Sequence, residues 1–240
     1  MFAIETKKLT KKFKEKTAVN GIELKINEGE LFALLGTNGA GKTTTIKMLS
    51  TLILPTAGEI KIKGLDIIKD RQEIKEILNV SPQETAIAPN LSVKENLEFM
   101  AGVYQIPNKK EKIDELVKIF KLEEVLKQKA KTLSGGWQRK VSIAISLINN
   151  PKILFLDEPT LGLDVIARKE LWAVIETLKG KITIILTTHY MEEAERLSDR
   201  IGIMAKGKLI DVGTSKELIQ KTEAKNFEDA FVKIATGGEL

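Results

Sequence analysis

Cysteine is absent from the 240-residue chain, which excludes disulfide bonds, thiol chemistry and thiolate metal sites. Long apolar runs are also lacking: the longest, such as residues 153–156 and 182–186, fall far short of the roughly 18 residues of a membrane-spanning helix. Residues 1–5 do not have the basic start and long apolar middle of a signal peptide. We therefore expect a cytosolic globular protein.

Charge of one sign is not concentrated anywhere. The 38 basic and 33 acidic residues are mixed along the chain and leave a net charge of +5. This pattern is typical of a solvated surface and not of a nucleic-acid groove, so no nucleic-acid partner is expected. A hydrophobic fraction of 42% is sufficient for a proper core in one large domain or two small ones.

The order of hydrophobic patterns predicts an α/β protein with a helical insertion. The first 35 residues look like a β meander, and their last apolar run, 31–35, is typical of a strand buried on both faces. From 92 to 150 the spacing is helical, with a capping box at Ser92 and a second candidate cap at Asn108. Strand patterns return at 153–156 and 182–186.

The C-terminal part is predicted to contain a hairpin and a docked helix. The hairpin, 201–212, turns at Lys206-Gly207, and apolar residues at 227, 230, 231 and 234 have helical spacing. We therefore predict one domain over 1–220 followed by a helical tail, 221–240. Within the domain, the core covers about 1–83 and 151–212, and the helical insertion covers about 84–150.

A glycine-rich loop between a buried strand and a helix matches the phosphate-binding pattern G-x-x-x-x-G-K-S/T in full. The glycines allow the backbone to approach phosphate, and the helix start adds the positive end of its dipole. We expect Lys42 to bridge the β- and γ-phosphates, Thr43 to ligate Mg²⁺ and Thr44 to contact the α-phosphate. The predicted nucleotide-binding residues of this loop are Gly36, Thr37, Asn38, Gly39, Ala40, Gly41, Lys42, Thr43 and Thr44.

Two acids, Asp157 and Glu158, end the apolar strand at 153–156. In a nucleotide site the first acid holds Mg²⁺, usually through water. The second orients or deprotonates the water that attacks the γ-phosphate. Taken alone, the pair is equally compatible with an ordinary strand end and an exposed turn. Beside a phosphate loop, it indicates hydrolysis.

The segment Leu133-Ser134-Gly135-Gly136-Trp137-Gln138-Arg139 resembles the LSGGQ-type signature of ABC ATPases. The Ser134 hydroxyl and the N–H groups exposed by the glycines at a helix start form a second anion site. Further pieces occur in the family's order: Gln83 looks like the Q-loop glutamine, Asp164 belongs to a D-loop-like segment, and His189, the single histidine, stands at the position of the switch histidine. The resemblance covers about residues 2–220.

Four positions qualify the resemblance. Thr37, Trp137 and Val165 differ from residues that are common in the family, but none of these departures removes a donor or an acid of the site. Phe13 stands where the family usually has an aromatic that stacks on adenine, and core packing is the alternative for this residue.

The resemblance implies the ABC ATPase fold: a RecA-like P-loop NTPase core with an antiparallel β subdomain and an inserted helical subdomain. It implies ATP and Mg²⁺ as cofactors and makes Glu158, His189 and Gln83 the catalytic residues. Gln83 would touch Mg²⁺ and the attacking water, and His189 would bind the γ-phosphate.

The resemblance also implies a dimer that sandwiches ATP. Ser134, Gly135 and Gly136 would close over the γ-phosphate of the opposite subunit, and Asp164 would connect the two sites. Because one chain holds one phosphate loop and one signature, its partner would be a second copy or a paralogue.

Two functions remain after a GTPase or nucleotide kinase is set aside, since the guanine motif Asn-Lys-x-Asp is missing and neither class uses an LSGG element. The first is an ATP hydrolase that powers an ABC transporter through separate transmembrane permease chains, peripherally attached to the inner face of the cell membrane. Residues 226–231 resemble ABC-2-type exporter ATPases, which favours export. The alternative is a non-transport ABC ATPase acting on nucleic acid or ribosomes, although the coiled coils, zinc modules, tandem cassettes and basic arms of such proteins are not seen.

Overall fold

Two β-sheets of different construction organise residues 1–237, the part of the chain that the computed structural model describes. The antiparallel sheet has the order β2-β1-β4-β5, and the second sheet has the order β10-β9-β3-β8-β7-β6. The strands are β1 Phe2–Phe13, β2 Lys16–Asn27, β3 Leu31–Gly36, β4 Ala57–Ile62, β5 Leu65–Asp66, β6 Leu78–Ser81, β7 Ile153–Asp157, β8 Thr183–Thr188, β9 Arg200–Ala205 and β10 Lys208–Gly213.

Helices cover the sheets and fill the connections. They are α1 Lys42–Leu49, α2 Arg71–Ile77, α3 Val93–Val103, α4 Lys109–Phe120, α5 Gly135–Ser146, α6 Val165–Leu178, α7 Met191–Leu197, α8 Ser215–Lys221 and α9 Phe227–Thr236. Helices α3, α4 and α5 lie between β6 and β7, in the stretch predicted to be a helical insertion. The exact division into domains stays a prediction.

The parallel strands β3, β7 and β8 are buried along their whole length because both of their faces are covered. In β7, Ile153 and Phe155 pack into the core shared with the antiparallel sheet, whereas Leu154 and Leu156 pack into the core shared with the inserted helices. Strands β6, β7, β8, β3 and β9 pair in parallel, so their carboxyl ends meet at one edge. In open α/β sheets this edge is where ligands bind.

The structure corrects two local expectations and adds two helices. β3 was predicted to continue the meander of β1 and β2, but it pairs in parallel with β8 and β9. Of these three strands, only β1 and β2 pair with each other. Asn108 makes no side-chain cap on α4, whereas the capping box at Ser92 is confirmed by both of its reciprocal bonds to Glu95. Helices α2 and α7 were not predicted.

The tail helix docks as predicted. Phe227 and Ala230 of α9 are buried, and Phe231 and Ile234 pack in the same cluster as Leu35 of β3. Residues 238–240 of the predicted tail lie outside the described residues. None of the described helices has both the length and the apolar character needed to cross a membrane.

Candidate functional site

A cavity of about 690 Å³ opens at the carboxyl edge of the parallel sheet. It is lined by loop residues that follow β3, β7 and β8, together with Gln83 after β6. The predicted site residues in its wall are Asn38, Gly39, Ala40, Gly41, Lys42, Thr43, Thr44, Gln83, Glu158 and His189. The fold thus brings together segments that are more than 140 residues apart in the chain.

The loop before α1 wraps around the side chain of Lys42. The buried ammonium donates to the carbonyl oxygens of Gly36 at 2.8 Å and Thr37 at 3.3 Å. Gly41 has a φ of 103°, and a Cβ there would lie 2.5 Å from the carbonyl oxygen of Ala18, so only glycine fits. These contacts fix the course of the loop, and its residues 38–41 line the cavity. A glycine-rich loop before a helix start is suited to anions.

The carboxylate of Glu158 contacts two basic side chains of the site. Its Oε1 lies 3.2 Å from Lys42 Nζ, and its Oε2 lies 2.6 Å from His189 Nδ1. Its φ of 48° is in the left-handed region, which costs a non-glycine residue roughly 1–3 kcal/mol and is typical of functional sites. The backbone N–H of Glu158 donates to Thr187 of β8, so the neighbouring strand holds this conformation.

Asp157 lies behind the cavity wall, against the start of α1. Its Oδ1 accepts hydrogen bonds from Thr43 Oγ1 at 3.1 Å and from Thr187 Oγ1 at 2.5 Å. The Thr43 hydroxyl and the Asp157 carboxylate are therefore adjacent although they are 114 residues apart in sequence. Together they form a pair of oxygen donors next to the phosphate loop.

Arg139 of α5, a residue without a predicted role, holds the segment that carries Gln83. The buried guanidinium donates to the backbone carbonyl oxygen of Pro82 at 2.6 Å and to that of Gln83. Burial lowers the pKa of Arg139, and the carboxylates of Asp157 and Glu193 oppose this effect. The helix that begins with the signature segment is thus tied directly to the backbone at Gln83.

The remaining predicted residues lie outside the cavity wall. Ser134 precedes α5 as its N-cap residue and makes no side-chain cap within the described chain, and Gly135 and Gly136 form the first turn. Asp164 caps α6 by accepting from the N–H groups of Ile166 and Ala167, both at 2.9 Å. The structure therefore separates the predicted residues into a cavity group and a signature group on the surface.

Phe13 belongs to neither group. Its ring is 48% exposed at the end of β1, and Lys11 Nζ lies 5.1 Å from the ring centroid. Core packing, the alternative role for this residue, is excluded by this exposure. Phe13 does not line the cavity, so a contact with adenine stays a prediction.

Two lysines of the cavity wall, Lys16 and Lys206, were missed by sequence reasoning. Lys206 is in the turn between β9 and β10, where the N–H of Gly207 donates to Ala40 of the phosphate loop at 3.1 Å. With Lys42 they oppose a single wall carboxylate, that of Glu158, so the cavity favours a polyanion. Isolated lysines on strands and turns have no periodic signal that would single them out.

The comparison with protein families is decisive. Residues 19–161, which include the phosphate loop, Gln83, the signature segment and both acids, match the model described as "ABC transporter". The chain belongs to this family.

Curated ABC transporter relatives cover most of the chain. It is 43% identical to the human phospholipid-transporting ATPase ABCA3 over 91% of its own length and 38% identical to the probable multidrug ABC transporter ATP-binding protein YbhF of Escherichia coli over 96%. It is 37% identical over 88% of its length to the daunorubicin resistance ATP-binding protein DrrA3 of Streptomyces coeruleorubidus. The chain spans 13% of ABCA3, 41% of YbhF and 68% of DrrA3.

Solved structures confirm the predicted ABC ATPase fold. An ATP-binding subunit of an ABC transporter matches with a TM-score of 0.86 and 27% identity, over 97% of this chain and 99% of that one. The ATP-binding cassette MJ0796, in a dimeric post-hydrolysis state bound to ADP and Pi, matches with a TM-score of 0.78 and 28% identity, over 88% and 98% of the two chains.

Proposed function

We propose that this ABC protein binds and hydrolyses ATP and thereby drives an exporter whose membrane-spanning parts are separate chains. The observation that carries the proposal is the arrangement of Lys42, Glu158 and His189 around one cavity, with Glu158 in contact with both other side chains. A phosphate-binding loop that faces a general base is the arrangement that hydrolysis of a γ-phosphate requires.

The oxygen donors of the site fit Mg²⁺. Thr43 and Asp157 are adjacent, and Gln83 lines the same cavity as Thr43. Mg²⁺ prefers oxygen ligands and keeps several waters, so two or three protein oxygens are sufficient. When bound with ATP, the ion would neutralise charge on the β- and γ-phosphates.

ATP would rearrange the contacts of Glu158. Lys42 is 3.2 Å from Glu158, and a triphosphate in the loop would attract the same ammonium more strongly because it carries more charge. His189 would turn from Glu158 towards the γ-phosphate. Both movements leave the carboxylate of Glu158 free to accept a proton from the attacking water.

The signature group supplies an argument for a dimer with a second copy or a paralogue. Ser134 and Gly135 are exposed and are not part of the cavity wall of their own chain, yet the N–H groups at the start of α5 form an anion site. In a sandwich these groups would lie over the γ-phosphate held by the partner, and Asp164 would connect the two sites. The relative MJ0796 is described as dimeric with ADP and Pi bound.

The membrane partner is proposed from the exposed face of α3. Phe99 and Val103, one helical turn apart, are 60% and 57% exposed and form an apolar surface on the inserted helices. Such a surface suits the docking of a permease helix at the cytoplasmic face of the membrane. Export is favoured by the names of YbhF and DrrA3, which refer to multidrug transport and daunorubicin resistance.

The proposal is tested by asking whether the full-length chain co-purifies with membranes. We expect the chain to stay with washed membranes through its permease and to show Mg²⁺-dependent ATPase activity there. The variant Phe99→Asp should move the chain to the soluble fraction, whereas Phe2→Asp, at another exposed phenylalanine, should not. Salt-sensitive binding to nucleic acid without membrane association would instead support the non-transport alternative.

A further inference from the structure

Glu193 is a fully buried carboxyl group close to the segments that carry Glu158 and His189. It lies on α7, four residues after His189, and its side chain is 0% exposed. It does not line the cavity, so it cannot contact nucleotide directly. Burial raises the pKa of Glu193, and the polar side chains of Thr188, Trp172 and Thr160 oppose this rise.

One oxygen of Glu193 joins three segments of the chain. Its Oε1 accepts hydrogen bonds from Thr160 Oγ1 at 2.8 Å and from Trp172 Nε1 at 2.9 Å. Thr160 comes two residues after Glu158, and Trp172 belongs to α6, the helix capped by Asp164. Both partners are themselves 1% exposed, so these bonds are shielded from competing water.

These contacts close a ring behind the catalytic side chains. At the front, His189 Nδ1 contacts Glu158 Oε2 at 2.6 Å, facing the cavity. At the back, Thr160 and Glu193 join the same two segments through their own hydrogen bond. If His189 turns to the γ-phosphate, the front contact is lost and the back contact remains.

We propose that Glu193 is a positioning residue for ATP hydrolysis, which keeps the segments of Glu158 and His189 aligned from behind when nucleotide replaces their direct contact. The inference rests on the proposed hydrolytic function. It assigns to Thr160 the role of the donor through which Glu193 acts. Through Trp172, the same carboxyl also ties this alignment to α6 and hence to Asp164.

Packing alone does not account for a carboxyl at this position. The second oxygen, Oε2, is buried and has no hydrogen-bond partner among residues 1–237. An unsatisfied buried polar atom lowers stability, so methionine, which is similar in size and apolar, would suit a purely structural role better. The carboxyl is explained if the two bonds to Oε1 serve the geometry of the reaction.

The test compares Glu193→Met and Thr160→Val with Thr183→Val. Thr183 is a matched control because it is also buried and its hydroxyl oxygen also accepts a hydrogen bond, from the N–H of Gly29. It lies at the start of β8, at the end of the strand away from His189. We expect kcat for ATP to fall about 10- to 100-fold in both test variants, since a displacement of about 1 Å near the chemistry has such an effect. KM should change less than about twofold, because ground-state binding is unaffected. Thr183→Val should keep the kcat of the unmodified chain.

Two further measurements separate positioning from stability. Glu193→Gln keeps a carbonyl oxygen for both donors and should restore most of kcat. In the double variant Glu193→Met with Thr160→Val, the two losses should not add, because each single variant already removes the bond between Thr160 and Glu193.

The outcomes distinguish this inference from the proposed function. An active unmodified protein in which Thr160→Val behaves like Thr183→Val overturns the inference alone, and Thr160→Val decides the question even if Glu193→Met does not fold. An unmodified protein that hydrolyses no ATP with its membrane partner present overturns the proposed function and the inference with it.

Discussion

At the scale of single residues, the site depends on a few buried charges held at short distances. Lys42 and Glu158 are both nearly inaccessible to solvent, and Lys42 is fixed by two carbonyl oxygens of its own loop. Buried charges are retained only when they are paired and hydrogen-bonded. Lys42 therefore has its geometry set before nucleotide arrives, which lowers the entropy that binding must overcome.

The variant Lys42→Ala should lose ATP affinity. A hydrogen bond to a charged phosphate oxygen contributes roughly 1.5–3 kcal/mol, which corresponds to a rise in Kd of about 10- to 100-fold. Isothermal titration with ATP measures the change. Lys47→Ala, at the exposed end of α1, is the matched control and should leave Kd unchanged. Equal affinity in the two variants would sink the phosphate-loop assignment.

Phe13 and Phe2 form a natural pair for testing adenine stacking. Both are exposed rings on β1 with a lysine ammonium 5.1 Å from the centroid, but they lie at opposite ends of the strand. We expect Phe13→Ala to raise the Kd for ATP by about 5- to 30-fold, since stacking of a base on an aromatic ring is worth roughly 1–2 kcal/mol. Phe2→Ala should have no effect. If both variants bind ATP normally, Phe13 is only a surface residue.

At the scale of secondary-structure elements, the start of α5 is packed against α6. A Cβ added at Gly136 would lie 2.9 Å from the Cβ of Ala167, whereas one at Gly135 would lie 3.8 Å from its nearest neighbour, in Leu163. The first distance is too short for two carbon atoms, and the second is ordinary contact. Gly136 is therefore needed for the two helices to approach each other.

This difference gives a stability prediction for two neighbouring glycines. Gly136→Ala should have a free energy of unfolding about 1–3 kcal/mol lower than Gly135→Ala, because overpacking a close helix contact has that effect. Both variants make the same change in the first turn of α5, so the difference in helix propensity largely cancels. Urea denaturation of the two proteins measures it. Equal midpoints and slopes would mean that α5 and α6 are not in close contact.

At the scale of the whole molecule, the proposed sandwich needs two chains because the predicted residues of one site lie apart on a single chain. The phosphate loop and Glu158 line the cavity, while the start of α5 is on the surface outside it. Two such chains would complete two sites, and hydrolysis would then control whether the pair stays closed. The exposed face of α3 would pass this change to the membrane partner.

The variant Glu158→Gln should therefore bind ATP and remain dimeric. The amide keeps the shape of the side chain but cannot accept the proton of the attacking water, so kcat should fall by about 10²- to 10⁴-fold. Gel filtration with ATP and Mg²⁺ should show a stable dimer. Glu76→Gln, at an exposed position of α2, is the control. After incubation with ATP and Mg²⁺ it should have the same oligomeric state as the unmodified chain. A Glu158→Gln protein that stays monomeric with ATP would contradict the sandwich.

The amino-acid sequence by itself determined the family, the fold class and the cavity residues of the phosphate loop. These features are local: the loop motif is contiguous, and β3, β7 and β8 contain apolar runs that predict burial on both faces. The role of the two acids at the end of β7 could be predicted only because the sequence also contains the phosphate loop. The sequence also predicted helix α9 and its docking, since four apolar residues repeat at helical spacing.

Only the tertiary structure decided which distant segments meet. It placed β3 in the parallel sheet, brought Lys16 and Lys206 to the cavity, and tied Arg139 to the backbone of Gln83. Thr160 and Glu193, which are 33 residues apart, share a hydrogen bond that no spacing rule indicates. Such contacts depend on the packing of several elements at once, and local patterns contain no information about that packing.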